Sequence, residues 1–209
     1  MLRALLTLAV PFTALVASVP VPDTPVYPGS RLEVAQIPIV QDLEKDTHGE
    51  LARVSAAAEA GDLEAMARLG VMYYWGDGAP LDWDKAKTWL RKASELGHRD
   101  AQAKLGAMYF LGQGGDRDLG ESIKWFRRAA EQGEPYAQGC MGVMYAVGEG
   151  VPQNLLQAYV WLLQAQAGGD TDAVEPFQQV KSHLTPDQIQ LGDQMARDAM
   201  NDRKEQGQH

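Results

Sequence analysis

Apolar positions recur at intervals of three and four residues through the middle of the chain, and the whole pattern then repeats every 36 residues, marked by Gly61, Gly97, Gly133 and Gly169. Spacing of three and four predicts amphipathic helices, and a longer period laid over it predicts a stack of repeated helical units. Three full units begin at Ala65, Ala101 and Ala137. Superposed, they place Leu69, Leu105 and Met141 in one column and Gly70, Gly106 and Gly142 in the next. A large residue beside a glycine on one helix predicts a second helix packed closely over the glycine. Met72, Met108 and Met144 follow, then Tyr73, Tyr109 and Tyr145, all expected in the core.

Gly76, Gly112 and Gly148 predict the end of each first helix, because glycine takes the left-handed conformation that closes a helix. Asp82, Asp118 and Asn154 then open the second helices as N-caps, their short acceptors meeting a backbone N–H that the helix leaves unpaired. Behind them Ala86, Ser122 and Ala158, then Trp89, Trp125 and Trp161, then Ala93, Ala129 and Ala165 form one buried stripe. Before the first unit, Thr47 and Glu50 stand in capping-box spacing and predict a helix that ends at Gly61. After Gly169 the rhythm degrades: Ala173 and Phe177 keep their columns, whereas Pro176, Gln178 and Lys181 do not. Thr185-Pro186-Asp187-Gln188 predicts a strong helix start, with Ile189, Met195, Ala196 and Ala199 covering the end of the stack and the tail from Asn201 to His209 fraying.

Composition alters the picture mainly at the N-terminus. Arg3 followed by an apolar run from Ala4 to Val19 reads as a signal peptide with small residues at Ala17 and Ser18. The run is shorter than the roughly 20 residues of a membrane span, so membrane contact is expected only if the segment stays uncleaved. Prolines at 20, 22, 25, 28 and 38 predict an extended linker over residues 20–46. The expected organisation is therefore a signal segment at 1–19, the linker, a solenoid over 47–172, a degenerate repeat with a capping helix over 173–202 and a loose tail at 203–209. The expected destination is the periplasm, with secretion or an N-terminal anchor as alternatives. The net charge of −9 argues against nucleic acid as a partner.

The tandem pattern AxxxLGxxYxxGxG, then Asp or Asn, then AxxW, closely resembles the Sel-one-like repeat, a relative of the tetratricopeptide repeat. Its best match is the unit running from Ala65, Leu69, Gly70, Tyr73, Gly76 and Gly78 through Asp82, Lys85, Ala86, Trp89, Lys92 and Ala93 to Gly97. The resemblance implies an all-α fold, an α/α solenoid in which antiparallel helix pairs form a right-handed superhelix. It also implies an adaptor function toward other proteins, with the first helices lining a concave side. Some exported relatives with a disulfide in each repeat bind or hydrolyse penicillin-like compounds; this chain has one cysteine, Cys140, and differs from them there.

Catalytic chemistry finds no support in the sequence. His48, His98, His183 and His209 share no column, and no HExxH, GxSxG or CxxC spacing is present. No cofactor, metal site or catalytic residue is expected. Cys140 shares a column with Arg68 and Lys104, which predicts a partly exposed thiol able to bridge a dimer; otherwise a monomer or weak dimer is expected. Lys87, Arg91, Lys92, Lys124, Arg127 and Arg128 gather on the second helices, mostly near C-termini where cations stabilise the helix. The candidate partner site is the outward face of the first helices, with Arg68, Tyr74, Lys104 and Phe110 as binding residues for a protein or peptide segment. Trp75 and Leu111, next to Tyr74 and Phe110, are expected to pack on neighbouring turns. The alternative is an envelope protein that binds or hydrolyses peptidoglycan or a β-lactam.

Overall fold

The computed structural model describes the backbone of residues 38–206 and the side chains of residues 49–205. The signal segment and most of the linker lie outside the described residues. The chain divides between Asp46 and Thr47 into two units, and the second carries the repeats. Among the described residues every regular element is a helix: α1 (Pro38–Glu59), α2 (Leu63–Trp75), α3 (Trp83–Glu95), α4 (Arg99–Leu111), α5 (Leu119–Glu131), α6 (Pro135–Val147), α7 (Leu155–Ala167), α8 (Val174–Ser182) and α9 (Pro186–Gln206). Consecutive helices pack in pairs, α2 on α3, α4 on α5 and α6 on α7, and each pair packs on the next. This is an α/α solenoid of three repeats, closed at one end by α8 and α9, both of which pack on α7.

Six helices of 13 residues begin and end for the same local reasons. Asp82, Asp118 and Asn154 accept from the backbone N–H groups of Lys85, Glu121 and Gln157, as the capping column predicts. A second column, not foreseen, caps the first helices: Asp62, His98 and Glu134 accept from Ala65, Ala101 and Ala137. Gly76, Gly112 and Gly148 take left-handed φ of 70°, 69° and 77°, and their N–H groups return to the carbonyls of Met72, Met108 and Met144.

Close approach within each repeat depends on the predicted glycine column. A Cβ on Gly70, Gly106 or Gly142 would stand 2.6, 2.8 or 2.6 Å from the side chain of Leu90, Phe126 or Leu162. Those three partners are fully buried and form the large-residue column of the second helices, one position past the tryptophans. Trp125 is buried and its indole donates to Glu121 Oε2 at 2.9 Å, while Trp89 and Trp161 are only half-buried. Leu69, Leu105, Met141 and the three column methionines are buried; Tyr109 is buried, and Tyr73 and Tyr145 partly so.

Between repeats, polar bonds supplement the apolar packing. Gln102 and Gln138 are buried and donate to the carbonyls of Ser94 and Ala130, acceptors at the last turn of the preceding second helix. Arg91 donates to the Tyr109 hydroxyl and Arg127 to the Tyr145 hydroxyl, each reaching from one repeat to the next. This geometry gives part of the basic cluster a stabilising role between repeats.

Both ends differ from expectation. The first helix begins at Pro38, so Thr47 is interior to it rather than its cap, and residues 38–46 are helical where an extended linker was expected. Proline is tolerated there because the first-turn N–H it lacks has no intrahelical acceptor. At the other end Thr185 and Gln188 form the predicted reciprocal capping box, at 2.9 and 3.3 Å. Helix α9 then continues to Gln206, past the point where fraying was expected. Arg203 holds that last turn by donating to Gln164 Oε1 at 2.6 Å.

Candidate functional site

Helices α2, α4 and α6 each bury one stripe against their second helices and leave the opposite stripe to whatever lies in front of them. On α2 that outer stripe carries Arg68, Val71 and Trp75, residues spaced by three and four along one face. The columns continue through Lys104, Ala107 and Leu111 on α4, and Cys140, Val143 and Val147 on α6.

The aromatic members trade places relative to expectation. Tyr74 is 8% exposed and Phe110 3%, whereas Trp75 is 53% exposed. Tyr74 and Phe110 therefore form the wall of the site and Trp75 its surface, a correction to the expectation that Trp75 packs on a neighbouring turn. The physical reason lies one step along the chain: the wall position meets a turn, that of the next repeat for Tyr74 and that of its own repeat for Phe110. The Gln113 side chain lies against the Tyr74 phenol, and Arg117 stacks 4.5 Å from the Phe110 ring centroid while donating to its carbonyl. Burial also raises the Tyr74 phenol above its ordinary pKa, with Gln113 opposing the shift.

Trp75 stands edge-on to Tyr74 with ring centroids 4.7 Å apart. Lys104 of the next repeat reaches into this notch, its Nζ 4.9 Å from the Tyr74 centroid and 5.1 Å from that of Trp75. Burial lowers the Lys104 pKa, and the field of Glu134 opposes the shift. Arg68, in the same column, is satisfied differently: it is paired with Glu50 of α1. Val147, at the far end of the Trp75 column, is 47% exposed. Trp75, Leu111 and Val147 thus make an apolar row across all three repeats, with Lys104 in the middle repeat beside it.

Cys140 is 4% exposed, which overturns the expected accessible thiol. Column membership with Arg68 and Lys104 misled because a small apolar side chain can be covered where a long cation extends out. Tyr136, one turn earlier on α6, lies beside the Cys140 thiol and supplies cover, its ring standing 6.1 Å from that of Phe126. Burial pushes the thiol pKa well up, which keeps it protonated at neutral pH and poorly placed to bridge two chains. Glu134 and Asp170, nearby, are both pushed up by burial. Among the described residues there is no group of three or more His, Cys, Asp or Glu side chains placed to hold a metal ion.

Sequence reasoning missed the second capping column, Asp62, His98 and Glu134, although the signal was present. Each is an acceptor three residues before the first alanine of its unit, the same logic that identified Asp82, Asp118 and Asn154. His98 breaks the expected residue type: its Nδ1 accepts from the Ala101 N–H at 3.2 Å while Nε2 faces Glu64 at 3.1 Å.

The sequence profile of the Sel1 repeat matches three times, over residues 63–98, 99–134 and 135–170. Among solved structures, a Sel1 repeat protein from Oxalobacter formigenes is 38% identical over 62% of this chain and 98% of its own, with a TM-score of 0.57. A protective antigen of uropathogenic Escherichia coli strains, displaying an SLR fold, is 31% identical over 72% of this chain, with a TM-score of 0.66. The chain spans about a third of that antigen's length, with 32% covered. No functionally curated protein matches the chain.

Proposed function

Because the chain belongs to the Sel1 repeat family, we propose that it is a non-enzymatic interaction module of the bacterial envelope that holds a protein or peptide segment along its first helices. Repeats of this family serve generally in protein–protein interaction. Support for the site comes from one observation above the others: Trp75, the largest side chain of the outer face, is 53% exposed and begins an apolar row that ends at Val147. A large exposed aromatic costs solvation in the free protein and supplies the anchor that interfaces favour. Lys104 remains in this reading as the charged member, while Tyr74 and Phe110 set the shape of the surface and Arg68 holds α1 to α2.

Export follows from the apolar leader at Ala4–Val19 and belongs to the proposal. Fractionation of cells that express the full chain, with mass analysis of the mature N-terminus, checks it; full-length protein in the cytoplasm refutes the envelope location. For the binding role, wild-type chain and Trp75→Ala are compared in co-precipitation from an envelope extract. The same bound proteins in the same amounts with both chains would refute the site.

A further inference from the structure

Arg68, Lys104 and Cys140 occupy equivalent positions on the first helices, and each is settled differently. Arg68 is ion-paired with Glu50, and Cys140 is buried beneath Tyr136. Lys104 alone carries a charge without a counter-ion: among the described residues its Nζ has no carboxylate within ion-pair distance and no hydrogen-bond acceptor. The neighbouring carboxylates are committed elsewhere. Asp100 is paired with Arg99 at 2.9 Å, and Glu134 accepts the Ala137 N–H as a helix cap. Tyr74 and Trp75 hold the ammonium group by their ring faces, which attract a cation but leave its N–H donors unused.

A cation partly removed from water and given no anion carries a cost in the free protein, and an incoming anion relieves it. Beside it stands the exposed Trp75 surface, with apolar positions running on toward Val147. Resting on the reading of the outer face as the binding surface, we infer that Lys104 selects the partner: an internal peptide segment carrying an acidic side chain next to an apolar one. The carboxylate takes the free N–H donors of Lys104 and the apolar residue seats on Trp75. An internal residue is specified because Lys104 lies on the middle repeat, with a repeat on either side to carry the chain onward; a terminus has no reason to stop there. The selection is positional, since no other repeat offers an unpaired cation in this column.

The test pans the full chain against a display library of random twelve-residue peptides with blocked ends, then measures the best binder by titration. Glutamate or aspartate beside an apolar residue is expected in the enriched peptides. Replacing that acid by its amide is expected to weaken binding to the wild type about tenfold or more, the scale of a charge-assisted bond. Lys104→Met should bind the acidic peptide as weakly as the amide peptide and fail to distinguish them, and Lys104→Arg should restore the preference. Enriched peptides without acids, lost with Trp75→Ala but indifferent to Lys104→Met, overturn the role of Lys104 and leave the binding surface intact. A best binder that, resynthesised with a free C-terminal carboxylate, binds through that terminus and no longer needs its internal acid overturns the internal segment. Enrichment that survives Trp75→Ala, or no enrichment at all, overturns the surface and this inference together.

Discussion

Helices α5 and α7 hold the same place in successive repeats, yet α5 reads LGESIKWFRRAAE and α7 reads LLQAYVWLLQAQA. Their inward columns match: Ser122 and Ala158, Phe126 and Leu162, Ala129 and Ala165 are all buried. Their outward columns diverge, because α5 faces water whereas α7 is covered by α8 and α9. On α5 the outer positions are Lys124, Arg127 and Arg128, with Lys124 and Arg128 stacked on Trp125 at about 5 Å from its centroid. On α7 the equivalents Val160, Leu163 and Gln164 carry no charge, and Tyr159 instead meets Phe177 at 5.0 Å between ring centroids and donates to Asp193 at 2.8 Å. A repeat therefore has one face dictated by its partner within the pair and another dictated by its place in the stack.

Removing the cover tests that contrast most severely. A chain ending at Ser182 lacks α9 and lays bare Leu156 and Tyr159, which meet Gly192 and Asp193 of that helix, so it is expected to self-associate or precipitate in light scattering while the full chain stays dispersed. Next in size are the shared inward positions: Phe126→Ala is expected to cost about 3–5 kcal/mol and Leu162→Ala about 2–5 kcal/mol in denaturant unfolding. Similar losses from both confirm a common interior; a much smaller loss at Leu162 would mean that α7 is held mainly by its cover. Smaller again, Asp118→Ala and Asn154→Ala should each cost about 1 kcal/mol, since a cap works within its own helix whatever covers the other face.

The least of these effects is electrostatic and has opposite signs in the two regions. Asp170, next to the cap, and Glu134 are raised by burial, so the fold prefers them protonated. Stability from them grows as pH falls from neutral through their raised values and levels off below the ordinary carboxylate range. Glu121 on α5 is lowered, first by its hydrogen bond to Lys124, so its contribution holds above the ordinary range and is lost as pH falls through the lowered value. Melting temperature followed against pH should show Glu134→Gln reducing the dependence in the upper window, where Asp170 still contributes, and Glu121→Gln reducing it in the lower one.

The period, the capping column, the glycine contacts and the end helix were legible because each depends on neighbours within one repeat. Tyr74, Trp75, Phe110 and Cys140 were read less well. Their exposure is decided by the turn carrying Gln113 and Arg117 and, for Cys140, by Tyr136 one turn earlier on the same helix, and columns average over such differences. The start of α1 at Pro38 escaped for a related reason: a proline-rich composition hides a proline that stands at a permitted first helical position.

The buried glutamines give the stack an order in which it comes apart. Gln102 fastens the second repeat to the first and Gln138 the third to the second, but the next residue in that column is Val174, which brings no such bond. Of the seams that close a complete repeat, the one before α8 therefore lacks this polar fastening. Opening is expected to start there, and in native-state amide exchange α8 and α9 should lose protection at lower cost than α4 to α6. The stack would then breathe at its far end while the surface around Trp75 and Lys104, the proposed binding face, stays closed.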